Sequence, residues 1–125
     1  MSEPSLPTAS VPRLVILLNS ARVEAPESMA IPLRYAVTAA AMDVAVEMHA
    51  VSRSVALFRR GAADAALLAQ IRQAVALGVE LFACPVALTE QGCRADELID
   101  EMAGVRGAAS LLVAGLEPGA RFMVF

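Results

Sequence analysis

A cysteine followed at once by a proline, Cys84-Pro85, ends the short apolar run Val79-Glu80-Leu81-Phe82-Ala83. Proline pushes the residue before it out of the α region and suits the first position of a helix. Cys84 is therefore expected at the cap of a helix over Pro85–Gln91, which Gly92 closes. A thiol in that place faces free backbone N–H groups and the positive end of the helix dipole, both of which favour thiolate. The chemistry this offers is nucleophilic attack or reversible thiol oxidation. Should the side chain be sealed away, the same cysteine is a small hydrophobe without chemistry.

Other reactive residue types are sparse. His49 is the single histidine. Near the same rim it would make a nucleophile–base pair with Cys84, but no orienting carboxylate is evident from the sequence, and a structural role is the reading taken. Two cysteines nine residues apart and one distant histidine do not match zinc spacing, so no metal is expected. No G-x-G-x-x-G follows the first apolar run, and no cofactor is expected. All ten basic residues are arginine, which excludes Schiff-base lysine chemistry and a Walker A lysine. With Pro85–Gly92 helical, Cys84 and Cys93 lie roughly 13 Å apart at 1.5 Å per residue. A direct disulfide needs Cα atoms within about 7 Å.

The elements that must position these residues alternate along the chain. Met1–Pro12, with three prolines and three serines, reads as a flexible tail, and residues 13–125 as one domain. Leu14-Val15-Ile16-Leu17-Leu18 is the unbroken apolar run of a strand covered on both faces. An Ala-rich helix follows to Met42, its regular part beginning near Ile31 because Pro32 is tolerated only in a first turn. Val44–Ala50 alternates as a second strand. Val51–Gly61 reads as a mobile loop with some helix. Leu67, Leu68, Ile71, Val75 and Leu77 give a helix over Ala62–Leu77, with Gly78 just past its end. Strand three is Val79–Ala83. Asp96–Met102 reads as a short helix, Gly104–Gly107 as a brief strand or turn, Ala108–Leu116 as a helix and Ala120–Phe125 as a last strand. This βαβ series predicts an α/β, flavodoxin-like, three-layer single domain: a mainly parallel sheet of about five strands with helices on both faces.

In such sheets ligands collect beyond the C-terminal strand ends. Three connections should meet there: Asn19–Pro26, Val51–Gly61 and the Cys84 junction. They make Asn19, Ser20 and Arg53 the substrate-binding candidates, with Arg22, Ser52 and Ser54 beside them.

Composition bounds the partners. The chain is 58% hydrophobic with mean hydropathy +0.61, yet its longest uncharged stretch, Gly107–Leu116, is ten residues. A membrane helix needs about 18. The surplus of apolar residues points to self-association. A net charge of −3 argues against a nucleic-acid partner. No signal-peptide pattern opens the sequence, and a cytoplasmic location is expected.

With these parts in order, the sequence resembles the DsrE/DsrF/TusD-like family of small sulfur-transfer proteins. The resemblance runs from Arg13 to Phe125. It is carried by Gly78-Val79-Glu80-Leu81-Phe82-Ala83-Cys84, then Leu88, Gly92, Asp96-Glu97-Leu98-Ile99, the Val105–Gly107 turn and the final strand. It implies a trimeric or hexameric assembly, with Cys84 as the catalytic residue carrying sulfane sulfur as a persulfide between donor and acceptor proteins. Pro85 and Cys93 are not features of the sulfur-relay members. Two other readings stand beside the carrier: a non-catalytic binding or assembly subunit with an unreactive Cys84, and a thiol redox sensor using Cys84 with Cys93.

Overall fold

Five strands, β1 (Arg13–Leu18), β2 (Ala45–Ala50), β3 (Glu80–Ala83), β4 (Gly104–Val105) and β5 (Ala120–Val124), make one sheet in the computed structural model, which describes residues 12–125. The order is β4-β3-β2-β1-β5 and every pairing is parallel. Four α-helices connect the strands: α1 (Ala30–Ala41), α2 (Ala65–Ala76), α3 (Pro85–Glu90) and α4 (Ala108–Leu116). The result is the expected single-domain α/β fold in three layers. All but the last residue of the expected Met1–Pro12 tail lies outside the described residues.

The strand order decides which face each helix covers. Parallel crossovers are right-handed, so three successive steps in one direction, β1 to β4, put their connections on one face. The return from β4 to β5, past β1, puts α4 on the other. Accordingly α1 packs on β1, β2 and α2, whereas α4 packs on β1 and β5. The main core lies on the first face: Ile16, Leu18, Val46, Met48, Leu81 and Ala83 of the sheet meet Leu33 and Ala36 of α1 and Leu67, Ile71 and Ala74 of α2. Ile16, Met48, Leu81 and Ile71 are each at most 1% exposed, and full burial of such a side chain is worth about 1.5–3 kcal/mol.

Local signals explain most boundaries. A 3₁₀ turn over Pro26–Met29 precedes α1, and Pro32 sits in the first turn of α1, where its missing N–H has no helical partner to lose. Asp64 caps α2 by accepting the Leu67 N–H at 2.8 Å. Gly78, at φ +106°, turns the chain from α2 into β3.

Two segments differ from expectation. Val51–Gly61 holds the helix expected in it, a 3₁₀ segment over Ser52–Phe58, but it is packed rather than mobile: Ser54, Val55, Leu57 and Phe58 are buried. Its backbone is tied down, since the buried Ser54 hydroxyl donates to the Ala21 carbonyl at 2.9 Å and the Phe58 carbonyl accepts the Ile99 N–H at 2.9 Å. The expected helix over Asp96–Met102 shrinks to a 3₁₀ turn at Ala95–Glu97. Leu98 and Ile99 beyond it are pulled into the core in extended form, and tertiary burial overrides the helical pattern there.

Candidate functional site

Alternation along the strands builds the site. Successive residues of a strand point to opposite faces. On β2 the core side takes Val46, Met48 and Ala50, leaving Glu47 and His49 on the α4 side. On β3 it takes Leu81 and Ala83, leaving Phe82 on the α4 side. Cys84 continues that alternation because its backbone is still extended, at φ −75° and ψ 126°. Its N–H donates to the Ala50 carbonyl at 3.0 Å, which sets it level with the end of β2. His49 and Cys84 thereby line one cavity of about 220 Å³, with Arg106 on its wall and Leu17, Val51 and Leu111 around them.

Cys84 occupies the cap position of α3, as its Pro85 dictates, and its side chain makes no capping hydrogen bond. The thiol is half-buried and free. The helix behind it has six residues, too few turns for a large dipole. Gly92 closes the segment at φ +62°.

His49 is 2% exposed and Glu47 3%. His49 Nε2 lies 3.0 Å from Glu47 Oε1. An ionised carboxylate only accepts hydrogen bonds, so Nε2 is assigned the proton and Nδ1 the lone pair. Nδ1 is buried and has no hydrogen-bond partner among the described residues. Glu47 is in turn neutralised from both sides. Arg13 donates to its Oε2, and the Arg106 guanidinium stands 3.8 Å from Oε1. Arg106 also lies across Phe82, 4.1 Å from the ring centroid, while the His49 and Phe82 rings are 5.0 Å apart. On the far side of Arg106 a second, more open cavity of about 420 Å³ is lined by Arg13, Glu47, Ser110 and Val113.

Burial is the main cause that pushes the His49 pKa below its usual 6.5; the hydrogen bond and charge of Glu47 oppose it, and Arg106 adds to the lowering. The neutral imidazole is thus the folded-state form at neutral pH. Between the folded value and 6.5 the unfolded chain binds more protons, so stability falls as pH drops through that window. His49→Gln is expected to remove that part of the slope, read from denaturant midpoints between pH 5 and 7.5. No other histidine titrates in this chain.

The remaining predicted residues fall elsewhere. Asn19 and Ser20 form the bend after β1, where both N–H groups donate to the Phe125 carbonyl. Arg53 is exposed on the 3₁₀ segment. None of the three lines the Cys84 cavity. Cys93 is buried, also away from that cavity. Among the described residues no group of three or more His, Cys, Asp and Glu side chains is placed to hold a metal.

No family model and no curated protein matches the chain. Solved structures do. The ychN protein from E. coli is 19% identical over 91% of this chain and 99% of its own, with a TM-score of 0.76. The likeness is one of fold. A protein of unknown function from Methanobacterium thermoautotrophicum is 21% identical over 91% and 99%, at TM-score 0.68. A conserved protein of unknown function from Bacteroides thetaiotaomicron is 17% identical over 94% and 98%, at 0.72. Among the described residues no helix is long and apolar enough to cross a membrane.

Sequence reasoning put His49 near the thiol but missed Arg106 and the carboxylate that orients the histidine. Arg106 lines the thiol's cavity from the β4–α4 turn, a connection not counted among the rim loops. The Glu47–His49 pair was legible: an acid and a histidine two apart in one strand share a face.

Proposed function

We propose that this protein is a DsrE-like sulfur carrier in which Cys84 accepts sulfane sulfur and holds it as a persulfide. The observation that carries the reading is the cavity at the C-terminal end of β3, where a half-buried, free Cys84 thiol stands with His49 and Arg106. A thiol kept only for packing has no need of a cavity lined by a base and a cation. Arg106 supplies positive charge beside a sulfur anion, which favours thiolate and persulfide forms. The sequence resemblance supplies the chemistry; the likeness to solved structures supports the fold on which that family is built.

The same reading makes the protein a cytoplasmic homo-oligomer, a trimer or hexamer, that receives sulfur from one protein and passes it to another. Its apolar surface supports self-association: Leu112, Val113 and Leu116 of α4 and Phe122 and Val124 of β5 are exposed on one side of the molecule.

The test is mass spectrometry after incubation with a persulfide donor. A gain of about 32 Da, one sulfur atom, is expected on Cys84 and lost on reduction. An unmodified Cys84, or label confined to Cys93, would overturn the reading.

A further inference from the structure

We infer that His49, held by Glu47, is the proton acceptor and donor for sulfur transfer to Cys84. The inference rests on the sulfur-carrier reading for its reaction, but not for its geometry. His49 lines the Cys84 cavity, is almost wholly buried, and keeps one ring nitrogen without a partner. Leaving a buried polar atom unpaired costs about 1–3 kcal/mol. A histidine wanted only for packing would have both nitrogens bonded, or would be replaced by an apolar residue of its size. Glu47 fixes the tautomer in the way a carboxylate orients the histidine of a nucleophile–base pair. Arg13 holds that carboxylate, so its charge is already matched without protonating the imidazole.

Every charged group facing the ring fits this role. Glu47 accepts from Nε2 on the same strand, Arg106 approaches from the β4–α4 turn, and Glu80 contributes from β3. Arg13 acts through Glu47, and Cys84 is the titratable group across the cavity. Burial favours the neutral imidazole, which leaves Nδ1 as its unprotonated, unpartnered nitrogen.

The step balances with no further reagent. Nδ1, which is not hydrogen-bonded to the thiol in this structure, takes the Cys84 S–H proton as ring and thiol come together. The thiolate attacks the terminal sulfur of a persulfide R–S–SH, a new S–S bond forms at Cys84, and the donor S–S bond breaks. The leaving R–S⁻ takes the proton back from the imidazolium. Cys84–SH and R–S–SH become Cys84–S–SH and R–SH, and His49 returns to neutral. The cavity wall is almost wholly apolar beyond these groups, so a small uncharged alkyl persulfide is the suitable probe.

Two reactions of the full chain test the idea: alkylation of Cys84 by iodoacetamide and sulfur loading from the alkyl persulfide, each followed from pH 5 to 8. His49→Gln should slow both by about 100-fold, the low end for a positioned proton-transfer group, and remove the histidine ionisation from both profiles. Glu47→Gln keeps an acceptor for Nε2 and should displace that ionisation rather than abolish it. Circular dichroism confirms that each variant is folded. Should His49→Gln retain the wild-type alkylation rate and profile, the inference is overturned whatever the persulfide does. If alkylation depends on His49 while wild-type Cys84 takes up no sulfur, the proton role stands and the carrier reading falls.

Discussion

Arg13→Met is expected to lower stability by about 3 kcal/mol, the lower part of the 3–5 kcal/mol that follows when one partner of a buried ion pair is removed. The Glu47 carboxylate, 3% exposed, loses its closest cation. What remains is the His49 Nε2–H at 3.0 Å and the Arg106 guanidinium at 3.8 Å. Arg106 softens the loss, and so does water reaching past the Arg13 position, whose side chain is 29% exposed. The second change that isolates the cause is Glu47→Gln in the same chain. A neutral amide removes the stranded charge yet still accepts from His49, so the double variant should recover most of the loss. Urea midpoints for the wild type, both single variants and the double variant give the coupling directly. Additive single-variant losses would show that the pair is not coupled.

Phe58→Ala is the largest expected packing effect, about 3–5 kcal/mol from lost transfer energy and the cavity left behind. Phe58 is 1% exposed and sits in the 3₁₀ segment that packs against α3, the helix Cys84 caps. Around it the chain is stitched to the stretch after α3: Ile99 donates to the Phe58 carbonyl, and Arg60 donates to the Glu97 carbonyl at 2.8 Å. Little room exists for collapse around the missing ring, because these neighbours are held by backbone hydrogen bonds. Arg53→Ala in the same segment is the control. That side chain is exposed, and its loss should change stability by no more than about 0.5 kcal/mol. Thermal or urea unfolding of the two variants reads the contrast.

The sequence made the layers legible because its periodic segments were strong. The run Leu14–Leu18, the helical spacing from Leu67 to Val75 and the Ala108–Leu116 helix all lie where their patterns put them. The Cys84 cap was equally readable, since Pro85 constrains both its own backbone and its neighbour's. Val51–Gly61 and Asp96–Met102 were harder, and for one reason. Each carries apolar residues without a clean period, so what shapes it is burial against the other, through Phe58, Leu98 and Ile99, and no local rule contains that contact. The site shows the same divide. Strand alternation puts Glu47, His49 and Cys84 on one face, and that needs only their spacing. Arg106 enters through the placement of β4 at the sheet edge, which depends on strand order.

The return of the chain from β4 to β5 has a consequence for assembly. From β1 to β4 each new strand lies beside the one just made, so that part can form through shorter-range encounters. The last strand must instead find the first across roughly a hundred residues of chain, and closing so long a loop carries the greater entropic cost. Helix α4, which roofs the Cys84 cavity with Leu111, is tied to that late pairing. The element that closes the Cys84 cavity thus depends on the pairing that spans the longest stretch of chain, so whatever loosens β5 from β1 also opens that cavity.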